Sequence, residues 1–195
     1  MIAVTGATGF IGASLCGDLN SRGFAVRGVV RSLHSAIPAS GIDYVAVGSL
    51  GVDTDWSLAL AGVECVIHCA ARMHVTSETE ADALKAFRYV NLYGSLRLAE
   101  QAVDAGVSRF IYLSSIKVNG EQTISGARFC SGDKAFPEDA YGISKWETEQ
   151  ALSVLAARTG LEVVIIRPPL VYGPEVKGNF LSMLGWLSRG IPLPL

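Results

Sequence analysis

The chain has 195 residues, half of them hydrophobic, with 16 Lys and Arg against 18 Asp and Glu and a net charge of −2. That composition excludes a disordered chain, and its charge balance gives no basic field for nucleic acid. No apolar run reaches the roughly 18–20 residues that cross a bilayer. Met1-Ile2-Ala3-Val4 shows no charged n-region, apolar h-region and cleavage site, so a cytoplasmic location is expected. Cys16, Cys65, Cys69 and Cys130 have neither CxxC nor zinc spacing and read as reduced core thiols, with no metal site.

Short β-like runs alternate with helical stretches. Ile2–Thr5 reads as a buried strand. Ile11–Arg22 places Ile11, Leu15 and Leu19 four apart on one helix face and stops at Gly23. Strands follow at Ala25–Val30 and Tyr44–Val47, then a short helix at Asp53–Ala61 and a strand at Val63–His68. One long helix is predicted from Glu80 to Ala105, closed by Gly106. Arg109–Ser114 is the fifth strand, and an irregular stretch runs to Phe136. Ala140–Arg158 is helical up to Gly160, and Val163–Ile166 is a strand cut off by Arg167-Pro168-Pro169. Strands that are apolar throughout, alternating with helices, predict an α/β fold: a doubly wound parallel sheet covered by helices on both faces. In such sheets ligands sit beyond the C-terminal strand ends.

Gly6-Ala7-Thr8-Gly9-Phe10-Ile11-Gly12 joins the first strand to the first helix. Glycines there let amide N–H groups approach a pyrophosphate at the positive end of a helix, and the third lets helix and strand pack closely. The spacing is GxxGxxG rather than GxGxxG. The end of the second strand, where a ribose-binding carboxylate is expected, holds Val30-Arg31. A guanidinium can grip a 2′-phosphate by paired hydrogen bonds, so Arg31 tilts the choice from NAD toward NADP. Alternatively Arg31 is a solvated loop residue, or stacks on adenine, and NAD binds.

Tyr141-Gly142-Ile143-Ser144-Lys145 has the form YxxxK, and Ser114-Ser115 ends the fifth strand. Tyr141 and Lys145, four apart, share a helix face, and an ammonium beside a phenol favours the phenolate. Taken with the glycine turn, these motifs resemble the extended short-chain dehydrogenase/reductases, in particular their nucleotide-sugar epimerase/dehydratase family. Val66-Ile67-His68-Cys69-Ala70-Ala71, Val90-Asn91-Leu92-Tyr93-Gly94-Ser95 and Arg167-Pro168-Pro169-Leu170-Val171-Tyr172-Gly173-Pro174 are similar to its further motifs, so the likeness runs along essentially the whole chain.

The resemblance implies a Rossmann-like domain over residues 1–170 and, at 171–195, the start of a truncated substrate-binding region. It implies Ser115, Tyr141 and Lys145 as catalytic residues, with Ser114 the alternative hydroxyl. Gly6, Thr8, Gly9, Phe10, Ile11, Gly12, Arg31, Ser49, Leu50, Ala70, Ala71, Asn91, Ser114, Pro168, Tyr141 and Lys145 would face the dinucleotide. Ser49 stands where many members carry an adenine-contacting Asp; Asn179 is placed to hold substrate phosphates or, alternatively, to cap the helix that follows; and His74 reads as a partly exposed loop histidine, with lining of the sugar pocket as the alternative. Family dehydratases carry a carboxylate pair after the active-site hydroxyl, whereas Ser115 is followed by Ile116-Lys117, which argues against dehydration.

The implied activity is that of an NAD(P)-dependent oxidoreductase acting at C4 of a nucleotide sugar, as a UDP-sugar 4-epimerase. The alternatives are an NADPH-dependent reductase of 4-keto sugar nucleotides and, in another class, a non-catalytic dinucleotide sensor or scaffold. A homodimer is expected through the long helix and the Tyr141 helix. A fragment of this length is expected to bind NAD(P) yet turn over sugar nucleotides poorly.

Overall fold

Parallel pairing of Thr5 with both Val29 and His68 places the first strand in the middle of the sheet. A computed structural model describes residues 1–35, 41–73, 79–123, 126–176 and 179–190. Its strands are β1 (Ile2–Thr5), β2 (Val26–Val30), β3 (Ile42–Ala46), β4 (Cys65–His68), β5 (Arg109–Leu113) and β6 (Glu162–Ile166). They form one six-stranded sheet in the order 3-2-1-4-5-6, parallel throughout. The helices are α1 (Phe10–Ser21), α2 (Ser57–Leu60), α3 (Glu80–Phe87), α4 (Gly94–Asp104), α5 (Ala140–Thr159) and α6 (Asn179–Ser188). The order reverses between β1 and β4, so a crevice opens at their C-terminal ends.

Apolar residues from both faces of the sheet form two cores. The larger joins Val29, Val66, Phe110 and Tyr112 to Trp56, just before α2, and to Leu60 of α2, Leu98, Ala99 and Ala102 of α4, and Leu152 and Leu155 of α5. The smaller seats Cys16 of α1, with Leu15 and Leu19, on Val4, Val26 and Val30. Burial pushes the thiols of Cys16 and Cys69 up to about 11, which keeps them protonated and unreactive near neutrality.

Three expectations change. The long helix is not uniform: Arg88–Tyr93 forms a π-helical segment between α3 and α4. Its wider turn carries Asn91 inward, where the amide bonds both Arg72 and Ser144. The helix predicted over Asp53–Ala61 shortens to Ser57–Leu60, because the residues before it are held by side chains: Thr54 Oγ1 donates to Ser49 O, and Gln101 accepts from Trp56 N. Finally, the third strand, expected over Tyr44–Val47, is formed by Ile42–Ala46; at the far edge of the sheet Val164 and Ile166 of β6 remain 37% and 44% exposed.

Candidate active site

Gly6 ends β1 at φ +65°, a conformation glycine adopts without strain. A Cβ there would stand 2.9 Å from Ala70 N, and one on Gly12 would stand 2.2 Å from Gly6 O. The turn is thus pressed against the loop after β4 and against its own helix. Gly9 N donates to Gly6 O at 2.8 Å. α1 then begins with neither a capping side chain nor an acidic residue in its first turn. Its first N–H groups face outward beside exposed Thr8, Gly9 and Phe10, and Ile11 is half-buried. A glycine cradle with uncapped amides fits the pyrophosphate of a dinucleotide.

The rim of this cradle comes from three more loops. Arg31 is exposed one residue beyond β2. Ser49 is exposed, and its carbonyl accepts from Thr54. Leu50 packs beside Gly94, where an added Cβ would lie 3.5 Å from Leu50 Cβ. Ala70 and Ala71 are half-buried after β4, and Ala70 N donates to Thr5 Oγ1 at 3.2 Å. Thr5 Oγ1 also lies 2.6 Å from His68 Nδ1, while His68 Nε2 lies 2.8 Å from Ser95 Oγ. Burial and Lys145 hold His68 down at about 3, so its ring is neutral. The neutral ring donates from one nitrogen and accepts at the other, so it links the Thr5 and Ser95 hydroxyls in one buried chain. This chain pins the Gly6–Ala70 contact to α4. Nothing in the spacing distinguishes His68 from an ordinary strand residue, so its place in the site became visible only with the fold.

Tyr141 and Lys145 lie on one side of α5, as their spacing predicts. Asp139 starts the helix by accepting from Gly142 N at 2.6 Å. Phe87 of α3 meets the Tyr141 ring edge-on at 5.8 Å. Lys145 is only 2% exposed; its Nζ donates to Leu113 O at 2.8 Å and sits 4.6 Å from the Tyr112 ring centroid and 5.8 Å from that of Tyr141. The electrostatics depart from the expected ammonium–phenolate pair. Burial lowers Lys145 to about 7. Tyr141 is pushed up to about 12 by burial and then by Asp139, with Lys117 pulling the other way. Desolvation outweighs the attraction on which the sequence reading relied.

Alternation along the end of β5 separates the two serines. Ser114 turns inward and donates to Glu149 Oε1 at 2.5 Å. Ser115 is half-buried on the other side and accepts from Lys117 N at 3.3 Å. Ser115 is therefore the hydroxyl not taken up by the Glu149 carboxylate. Glu149, one turn beyond Lys145, also receives Arg167 Nε at 2.9 Å and Arg167 Nη2 at 2.6 Å. The backbone ties the same regions together: Ser114 N donates to Ile166 O, and Ile116 N to Pro168 O.

Of the residues expected against the cofactor, the Asn91 amide bonds Arg72 and Ser144, the Ser114 hydroxyl bonds Glu149, and the Pro168 carbonyl accepts from Ile116 N. Asn179 opens α6, with its side chain outside the described residues, and His74 lies outside them altogether.

A family model for the NAD dependent epimerase/dehydratase family matches residues 2–188. The chain belongs to that family. This epimerase/dehydratase-family chain is 47% identical over 194 residues to a UDP-glucose 4-epimerase of Vibrio cholerae, a match covering 99% of this chain and 58% of that protein. Two solved structures are similar. A short-chain dehydrogenase/reductase superfamily protein from Agrobacterium tumefaciens with bound NAD has a TM-score of 0.73 and 32% identity, covering 86% of this chain and 48% of the other. A UDP-glucuronic acid 4-epimerase from Bacillus cereus, in complex with UDP-glucuronic acid and NAD, has a TM-score of 0.82 and 25% identity, covering 98% of this chain and 64% of the other. The chain spans about half to two thirds of the length of these relatives.

Proposed function

We propose that this chain carries the NAD-holding and proton-transferring part of a nucleotide-sugar oxidoreductase that works at C4 of a UDP-sugar, as a 4-epimerase. What supports the reading is the place of Tyr141 and Lys145 on one side of α5, with Lys145 Nζ bonded to Leu113 O two residues before Ser115, in a chain so similar to a UDP-glucose 4-epimerase. Residues 1–170 would hold the cofactor, with 171–195 beginning the substrate-binding region. Gly6, Gly9 and Gly12 admit the pyrophosphate, Thr8, Phe10 and Ile11 flank it, and Ser49, Leu50, Ala70 and Ala71 line the nucleoside side. When bound, NAD supplies a ring that removes hydrogen from the sugar C4 and returns it. Tyr141 takes the proton of the sugar hydroxyl and gives it back. Ser115 hydrogen-bonds that same oxygen, and Lys145 supplies positive charge beside the phenol. Asn179 would meet the substrate phosphates.

Exposed Arg31 favours a second reading, an NADP-preferring 4-keto-sugar reductase. A homodimer through the π segment and α5 is supported by Tyr89, Tyr93 and Val154, which are large and exposed. Four free thiols suit a reducing cytoplasm.

The test is to purify the chain, identify any dinucleotide carried along, and follow NAD reduction on adding UDP-glucose. Tight co-purifying NAD together with reduction that Tyr141→Phe abolishes is the expected result. NADP preference with no retained cofactor would select the reductase. Full reduction by Tyr141→Phe would refute proton transfer by the phenol.

A further inference from the structure

The loop after β5 returns to the start of α5 through one side chain. Lys117 Nζ donates to Asp139 Oδ2 at 2.5 Å and to Glu121 Oε1 at 3.0 Å. The other Asp139 oxygen accepts Gly142 N, and the Asp139 carbonyl accepts Ile143 N at 2.9 Å. The approach is close on the backbone side too, since a Cβ on Gly142 would stand 2.9 Å from Lys117 O. Lys117 N donates to Ser115 Oγ. The Lys117 residue therefore touches the active-site hydroxyl at one end and the cap of the Tyr141 helix at the other.

That cap creates a conflict. A carboxylate satisfies the free N–H groups of a helix start, but here it stands two residues from a phenol that has to ionise, and a like charge opposes that. We propose that Lys117 is a positioning residue for Tyr141: it fixes the first turn of α5 against the Ser115 loop and offsets the Asp139 charge at the phenol. This inference rests on the reading of Tyr141 as the proton-transfer group.

The surroundings leave few other groups to do this. On its own helix, Tyr141 has Asp139 before it and Lys145 after it. β5 contributes Tyr112, α3 contributes uncharged Phe87, and in the π segment Arg88 is paired with Glu147. The direction agrees, since Asp139 raises Tyr141 and Lys117 lowers it. Lys117 and Asp139 are both partly exposed, so the effect is moderate.

The experiment uses the 195-residue chain labelled with 13Cζ-tyrosine. The Tyr141 signal is assigned by its loss in Tyr141→Phe, and ionisation is followed from pH 9.5 to 12.5 in wild type, Lys117→Met, Lys117→Arg and Asp139→Asn, each compared by the fraction ionised at the same pH. Asp139→Asn keeps a capping oxygen and should ionise roughly one pH unit earlier, whereas Lys117→Met should ionise later by roughly half a unit or more. Lys117→Arg should overlay wild type. Equal titration of wild type and Lys117→Met, or movement of both charge-removing variants in one direction, would overturn the proposal.

The second readout is the pH dependence of NAD reduction by UDP-glucose: below the Tyr141 midpoint, Lys117→Met should be slower than wild type by the factor its own titration shift predicts, roughly threefold for half a pH unit, with Lys117→Arg matching wild type. No loss of rate in Lys117→Met, or a loss far beyond its titration shift, counts against the proposal. If Tyr141 titrates as described while no NAD is reduced, the proposed function falls and the role of Lys117 stands. If NAD is reduced but neither readout follows Lys117, the reverse holds.

Discussion

Gly12 and Lys145 show two ways in which a single side chain, or its absence, is set by its neighbours. Gly12 is held to a hydrogen because its Cβ position lies 2.2 Å from the backbone oxygen of Gly6, which no rotamer change can relieve. Gly12→Ala should cost about 1–3 kcal/mol in urea unfolding and weaken NAD binding more than tenfold by calorimetry, since the displaced atoms form the cradle itself. Lys145 carries a charge into a site with little water. Its folded value, about 7, lies below that of the unfolded chain, so between pH 7 and about 10.5 the unfolded state binds the extra proton. Stability should therefore rise with pH across that window as the penalty disappears. Lys145→Met should melt higher than wild type at pH 6 by a few degrees, with the gain shrinking toward pH 10; an equal gain at both pH values would contradict the buried-charge account. Such a gain alongside lost turnover is the usual trade at a functional position.

Among the elements, α5 organises most of the site. Its first turn presents Tyr141, its second Lys145 and its third Glu149, so one helix face meets the ends of both β5 and β6. Glu149 is 3% exposed and Arg167 22%, which makes the arginine the more hydrated partner. Arg167→Met should cost about 3–5 kcal/mol by leaving a buried carboxylate unpaired. Glu149→Gln combined with Arg167→Met should recover a large part of the stability in a double-mutant cycle.

Much of this element was legible in the residues. The i, i+4 spacing of Tyr141 and Lys145 gave their common face, Gly160 gave the stop, and the glycine turn identified the cofactor end of the sheet. Other features depend on contacts distant in sequence. Ser114 and Ser115 are alike as residues, and only the pairing of β5 with β6 under α5 decides which hydroxyl points inward. The π segment exists because Asn91 must reach Arg72 and Ser144 at once. The high value of Tyr141 follows from burial, which spacing does not measure.

For the whole molecule, a buried neutral histidine and a set of exposed apolar side chains set the physical behaviour. Loss of His68 neutrality gives one acid-sensitive term: its folded value, about 3, lies below the unfolded one, so stability should fall as pH drops from about 6.5 toward 3. Guanidinium unfolding at pH 7 and pH 4.5 measures this, and a His68→Gln variant should lose less between the two.

Besides Val164 and Ile166 of β6, Leu170, Val171 and Tyr172 after it and Leu181, Leu184 and Leu187 of α6 are exposed. Exposed apolar side chains in this number attract other apolar matter. The folded chain should therefore light up a fluorescent hydrophobic dye at pH 7 without any denaturant, scatter more light as its concentration rises, and salt out early in ammonium sulfate. Replacing Val164 and Ile166 by threonine should dim the dye and delay precipitation while leaving dinucleotide affinity where it was.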